Sequence, residues 1–251
     1  MSSSTAILEK HFSNNQPLLG ALWDLDGTIL DCETLYDEAL NIAASLVGIP
    51  PLSAEAAESM HGMTLENEIL FYLSSAKQMG LSVSYAELEK FFWSEFNNLD
   101  WRRTDLLLPG VEQATLAFDN FGLVQSLATM STEVEVLAKE PAASDIYRRM
   151  KHKVFWGDPS VSKPKPYPDV YIEAARRCGV APSECIAFED TVRGTASAST
   201  AGCAVVAIPS VKPFIADDYY KAGALVVIES LEEIDFSHLL IKIGKNLVIC
   251  K

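Results

Sequence analysis

Six short apolar runs divide the chain, and most of the segments between them carry helical periodicity. The runs are LLGALW (18–23), GLVQSLA (122–128), HKVFW (152–156), CIAF (185–188), CAVVAI (203–208) and ALVVI (224–228). Near-continuous apolarity over so few residues suits strands covered on both faces, the situation of a parallel sheet layered between helices. The intervening helices have legible ends. Pro168 opens DVYIEAARRC and Gly179 stops it, while Thr191–Ala201, rich in Ala, Ser and Gly, can pack close to a sheet before Gly202. Alternating strands and helices predict right-handed βαβ units and a doubly wound, Rossmann-like α/β core.

From Glu33 to about Leu106 the alternation stops, and only helix signals remain. Gly48-Ile-Pro-Pro51 closes one helix, and Thr64 is a candidate N-cap for LENEILFYLSSAKQ. Ser84-Tyr-Ala-Glu87 forms a capping-box pattern ahead of the amphipathic LEKFFWSEFNNL. The expected organisation is an α/β core from residues 1–32 and 107–251, with an all-helical cap over 33–106. The cap leaves directly after the first strand, so it is placed to fold back over that strand's end. The last residues, IKIGKNLVICK, carry no reading of their own.

Composition narrows the function. At 251 residues and 49% hydrophobic, the chain can bury a large core with an insertion. A net charge of −14 argues against nucleic acid and anionic membrane as partners, and it means that an anionic substrate needs help from a cation. No apolar run approaches the roughly 20 residues that span a bilayer. The opening MSSSTAILEKHFSNNQP lacks the basic start and long apolar stretch of a signal peptide. Five cysteines, with neither CxxC nor metal-ligand spacing, read as reduced thiols of a cytoplasmic protein.

Against this background LWDLDGTILD (22–31) is odd, because three carboxylates follow a buried strand within a few residues. Open α/β sheets build their sites beyond the carboxyl ends of the strands, where Asp24 and Asp26 fall. Asp-Gly is also a common turn pair, and Asp31 can cap the next helix. Thr129 ends SLAT, and Met130-Ser-Thr-Glu reads as a helix start; a hydroxyl with free N–H groups there makes an anion site, an ordinary N-cap being the plainer alternative. Lys165 lies in the proline-stiffened SKPKPYPD. Glu189-Asp190 closes another strand, with helix capping by Asp190 as its bland reading. Carboxylates so clustered repel until one protonates, unless a divalent cation joins them; oxygen-only ligands favour Mg²⁺.

The order DLDGTILD, SLAT, KPYPD and FED resembles the haloacid dehalogenase-like (HAD) superfamily, in its group with a helical cap after the first motif. The resemblance covers about Gly20 to Leu239. It implies a phosphatase that hydrolyses a small phosphomonoester (a sugar, nucleotide or polyol phosphate) through an aspartyl-phosphate, with Mg²⁺. By it Asp24 is the nucleophile and Asp26 the general acid/base, while Thr129, Met130 and Lys165 hold the phosphoryl group. Mg²⁺ is bound by Asp24, Asp190 and the Asp26 backbone carbonyl, with Glu189 in support. The third motif departs from the usual Gly-Lys-Pro, since Pro164 precedes Lys165 and Lys163 offers a competing Lys-Pro. Lys165 is preferred because Lys-Pro-Tyr-Pro-Asp leads straight into a helix. The fourth motif has Thr191 where Ser is usual.

GDPSVSKPKPYPD and LDCETLY are similar to capped phosphatases of pseudouridine 5′-phosphate and sugar phosphates. A phosphomutase of the β-phosphoglucomutase type shares all four motifs and is the enzymatic alternative. A catalytically silent binding or regulatory protein is the alternative of another class. Dehalogenation and phosphonate cleavage are disfavoured by Asp26. His61, Gly62 and Met63, between two cap helices, are candidate substrate contacts or an ordinary helix connection. The partner expected is a small phosphate ester, and the protein a monomer or weak homodimer.

Overall fold

A computed structural model of the protein describes residues 3–13, 17–53, 56, 60, 65–102 and 104–248. The chain separates into two compact units, one of residues 1–31 and 102–251, the other of 32–101. His61, Gly62, Met63 and the candidate cap Thr64 lie outside the described residues.

The first unit holds a six-stranded sheet in the order β3-β2-β1-β4-β5-β6, with every neighbouring pair parallel. The strands are β1 (Gly20–Trp23), β2 (Val124–Thr132), β3 (Met150–Trp156), β4 (Cys185–Glu189), β5 (Ala204–Ala207) and β6 (Ala224–Val227). Each overlaps one of the six apolar runs. In chain order the sheet grows outward from β1 to β3 and then returns to β4 on the other side of β1. The winding direction reverses there, so the carboxyl ends of β1, β2 and β4 open the crevice where doubly wound sheets bind ligands.

Both faces of the sheet are covered, as the continuous apolar runs require. Successive strand residues point to opposite faces. Leu22 and Ala187 join a cluster with Val170, Tyr171 and Ala174 on one side. On the other, Trp23 stacks on Phe188 at 4.0 Å, and Phe118 and Phe236 close an aromatic group around them. The indole N–H of Trp23 donates to Gln125 Oε1 at 3.1 Å, so the one polar atom of that ring is satisfied inside the core.

Eleven α-helices lie among the described residues. In the first unit α1 (Ser3–Ser13) packs on the C-terminal helix and β6, burying Leu8 and Phe12. In the second, α2 (Glu33–Leu46), α3 (Leu65–Gln78) and α4 (Tyr85–Asn98) are the regular elements among the described residues. Leu88, Phe92 and Phe96 form the buried stripe of α4, and Tyr36 of α2 lies 4.8 Å from Phe96. Ser84 Oγ accepts from the Glu87 N–H, as the capping pattern requires. Back in the first unit come α5 (Val111–Asn120), α6 (Glu133–Lys139), α7 (Ser144–Arg149), α8 (Asp169–Cys178), α9 (Val192–Ala201) and α10 (Ala216–Lys221). The unread tail is a further helix, α11 (Phe236–Val248), whose Phe236, Leu239, Leu240 and Ile243 are buried. No helix among the described residues is long and apolar enough to cross a membrane.

Within the first unit the outgoing and returning chain are tied together. Asp31 N–H donates to Leu106 O at 2.8 Å, Leu108 N–H donates to Ile29 O at 3.0 Å, and Leu30 bridges Leu107 antiparallel.

Candidate active site

Asp24 follows the last residue of β1, and its N–H continues the ladder to Phe188 O at 3.1 Å. The parallel register pairs Trp23 with Phe188, so Asp24 stands beside Glu189 at the end of β4, with Asp190 next in the chain. Carboxylate oxygens of Asp24, Glu189 and Asp190 lie within 4.8 Å of one another, and all three residues are buried. Two glycines make this possible. Gly27, at φ +74°, adopts a left-handed turn, and a Cβ there would meet Asp190 Oδ2 at 2.2 Å. A Cβ at Gly194, on the first turn of α9, would overlap the Glu189 carboxyl group at 1.8 Å.

The lysine question has a geometric answer. Lys165 is 5% exposed; its Nζ lies 2.6 Å from Asp24 Oδ1 and 2.5 Å from Glu189 Oε1. Lys163 is exposed and sits 4.7 Å from the centre of the Tyr167 ring. The loop that delivers Lys165 is clamped from α9: Arg193 donates to Lys165 O at 2.7 Å and Ser197 to Tyr167 O at 2.6 Å. At its other side, Asp169 accepts from the backbone N–H groups of Ser162 and Lys163.

One ammonium does not balance three buried carboxylates. Burial pushes the Asp24 carboxyl up to about 7, against the pull of Lys165, with Glu189 adding to the rise. Asp190 is driven well above the carboxylate range by burial and by Asp24 and Glu189; a hydroxyl bond from Ser210 at 2.7 Å offsets this only in part. Burial works against the Lys165 ammonium, yet Asp24 and Glu189 outweigh it and raise its pKa. The oxygen-only donor set, its excess negative charge and the space kept by Gly27 and Gly194 fit a hard divalent cation held by Asp24, Glu189 and Asp190.

Thr129 is buried within β2, and its Oγ1 accepts from Ser131 N–H at 3.0 Å. The sequence reading put a helix start at Met130. The strand instead runs on to Thr132, because Thr132 and Glu135 form a reciprocal capping box that fixes the first turn of α6 there. Thr129 is therefore not the N-cap. Met130 lies under the lysine loop, its sulfur accepting from Lys165 N–H at 3.5 Å. Asp190 does not cap α9 either; Thr191 does, accepting from Gly194 N–H.

Asp26 stands apart from the three carboxylates with its own partners. Lys139 Nζ is 2.6 Å from Asp26 Oδ1, and Ser131 Oγ is hydrogen-bonded to Asp26 Oδ2. Sequence reasoning missed Lys139, since a lysine closing a short helix reads as solvated. It also missed Tyr171, whose hydroxyl donates to Glu189 Oε1 at 2.6 Å. Its only signal was an aromatic residue on the inward face of α8.

Residues 19–202 match the family described as haloacid dehalogenase-like hydrolase. The chain is 29% identical over 230 residues to hexitol phosphatase B of Escherichia coli, covering 91% of this chain and 99% of that protein. It is 26% identical to β-phosphoglucomutase of Bacillus subtilis, covering 78% and 86%. Among solved structures, a family IA, variant 3 HAD hydrolase from Entamoeba histolytica superposes with a TM-score of 0.68 at 22% identity, covering 90% of this chain and all of the other.

Proposed function

This chain belongs to the haloacid dehalogenase-like hydrolases, and from that premise we propose that it is a Mg²⁺-dependent phosphatase of small phosphomonoesters, acting through an aspartyl-phosphate at Asp24. The observation that carries the reading is the pairing of Asp24 with Lys165 beside Glu189 and Asp190, with Asp26 held separately two residues on.

A carboxylate nucleophile splits hydrolysis into two displacements at phosphorus. Asp24 attacks phosphorus, and the leaving oxygen takes a proton from Asp26. Asp26, now a carboxylate, receives a proton from water as that water attacks the acyl phosphate, releasing inorganic phosphate and restoring Asp24. Lys165 offsets charge on the nucleophile and the transferring oxygens, where electrostatic stabilisation matters most. Thr129, with the Met130 backbone, completes the phosphoryl cradle. Mg²⁺ held by Asp24, Asp190 and the Asp26 carbonyl, with Glu189 in support, would neutralise charge between nucleophile and phosphoryl group.

Hexitol phosphatase B is named for polyol phosphates, which supports sugar and polyol phosphates as the first substrates to try. The likeness to β-phosphoglucomutase keeps a phosphomutase as the second reading. A phosphate-release screen over sugar, polyol and nucleotide phosphates, with Mg²⁺ and with EDTA, tests both. Free phosphate that requires Mg²⁺ and disappears in Asp24→Asn supports the phosphatase. Phosphate retained on an isomerised product, with a bisphosphate needed for activation, supports the mutase. Near-normal turnover in Asp24→Asn ends the nucleophile assignment.

A further inference from the structure

We propose that Lys139, together with Ser131, is a positioning residue that acts through Asp26; this rests on the acid/base role given to Asp26 above. Lys139 closes α6, and its side chain is 0% exposed. An ammonium removed from water is costly unless it is paired and hydrogen-bonded. Here it meets Asp26 Oδ1 at 2.6 Å and Ser131 Oγ at 2.9 Å, and Ser131 Oγ reaches Asp26 Oδ2. Three side chains thus close a ring, drawn from the turn after β1, the end of β2 and the end of α6.

The ring grips Asp26 from the protein side while leaving it reachable. The Asp26 side chain is 32% exposed, against none for Lys139. Asp24 is served by a different cation, Lys165, so each aspartate of the Asp-Leu-Asp pair has its own lysine. Asp26 must meet the leaving oxygen in the first displacement and a water in the second, and a carboxylate free to rotate would lose the near-attack geometry in both. Ser131 and Lys139 hold both oxygens at one end, fixing the plane in which the outer lone pairs point. Charge neutralisation alone does not require the hydroxyl to close the ring.

The test compares Lys139→Met, Lys139→Arg and Ser131→Ala with Asp26→Asn, using phenyl phosphate and 4-nitrophenyl phosphate as probes of similar shape. Nitrophenolate departs with little need of a proton, whereas phenolate needs one, so a displaced acid hurts phenyl phosphate selectively. In Lys139→Met, first-turnover cleavage of phenyl phosphate is expected to fall at least about tenfold more than that of 4-nitrophenyl phosphate. As the second displacement becomes slow, a nitrophenolate burst should emerge and KM for 4-nitrophenyl phosphate should fall together with kcat. Lys139→Arg should recover part of the loss, and Ser131→Ala should shift the ratio in the same direction. Selective loss in Asp26→Asn, with equal slowing of both esters or none in Lys139→Met, overturns the proposal and leaves the acid/base role standing. Equal slowing of both esters in Asp26→Asn removes that role, and the proposal with it. If Lys139→Met does not fold, Ser131→Ala carries the comparison, and an unchanged ester ratio there overturns the positioning claim.

Discussion

Lys165 Nζ lies 2.6 Å from Asp24 Oδ1 although 141 residues separate the two in sequence. Of the two lysines in SKPKPYPD, this one is folded inward, while Lys163 remains at the surface. Lys165→Met should lower kcat about 10²- to 10³-fold, the scale of losing one aimed electrostatic partner. Lys163→Met should stay within about threefold of the parent, as surface changes usually do. Steady-state kinetics of both variants on one substrate check this; equal losses would contradict it.

Three buried carboxylates around one ammonium hold the metal-free protein in an unfavourable state. Saturating Mg²⁺, at about 100 times its Kd, should stabilise the fold by about 2.7 kcal/mol, or roughly 5–10 °C in Tm. Asp190→Asn keeps an acceptor for Ser210 and removes one charge. Its metal-free Tm should match or exceed that of the parent, and its Mg²⁺ increment should vanish. Thermal melts with and without the ion measure both.

Gly194→Ala offers a sharper contrast. Alanine normally stabilises a helix interior by about 0.5–1 kcal/mol over glycine. Here the new methyl would overlap the Glu189 carboxyl group, which Lys165 and Tyr171 hold in place. A net loss of about 1–3 kcal/mol is expected, the usual cost of overpacking, together with a fall in activity. A more stable, fully active Gly194→Ala would show that Glu189 is free to move.

On α8, away from the crevice, Glu173 is bound by Arg176 at 2.6 Å and Arg177 at 2.7 Å, and Arg177 reaches on to Asp158. Hydrogen bonding from Arg176, then Arg177, lowers the Glu173 pKa from 4.5 to about 2. A carboxyl pKa depressed by folding contributes stability above the unfolded value, and that stability is lost as pH falls towards the folded one. Glu173→Gln should therefore melt below the parent at pH 7, by about 1 kcal/mol or roughly 2–4 °C given the exposure of Arg176. The gap should close between about pH 4.5 and pH 2, as melting curves across that range would record.

The sheet was readable because its strands are covered on both sides, so burial is written directly as unbroken apolar runs. Asp24, Glu189 and Asp190 were readable because each ends such a run. Lys165 was separable from Lys163 only through the helix it precedes. Lys139 and Ser131 were not readable: their partner is distant in the chain, and neither pattern nor propensity distinguishes a buried terminal lysine from a solvated one. The start of α6 was misplaced by three residues because Met130-Ser-Thr-Glu contains several possible caps. The reciprocal bonds of Thr132 and Glu135 choose among them, and those depend on three-dimensional geometry. α1 and α11 escaped notice for a related reason, since short terminal segments acquire their burial from partners that the local pattern does not name.

The hydrogen-bonded neck at Ile29–Asp31 and Leu106–Leu108 has an evolutionary corollary. The chain leaves and re-enters the first unit through one stitched point, so the intervening residues form a closed loop whose length costs little extra entropy. Segments could be lengthened, trimmed or replaced beyond that stitch while the register of β1 and β2 stayed put.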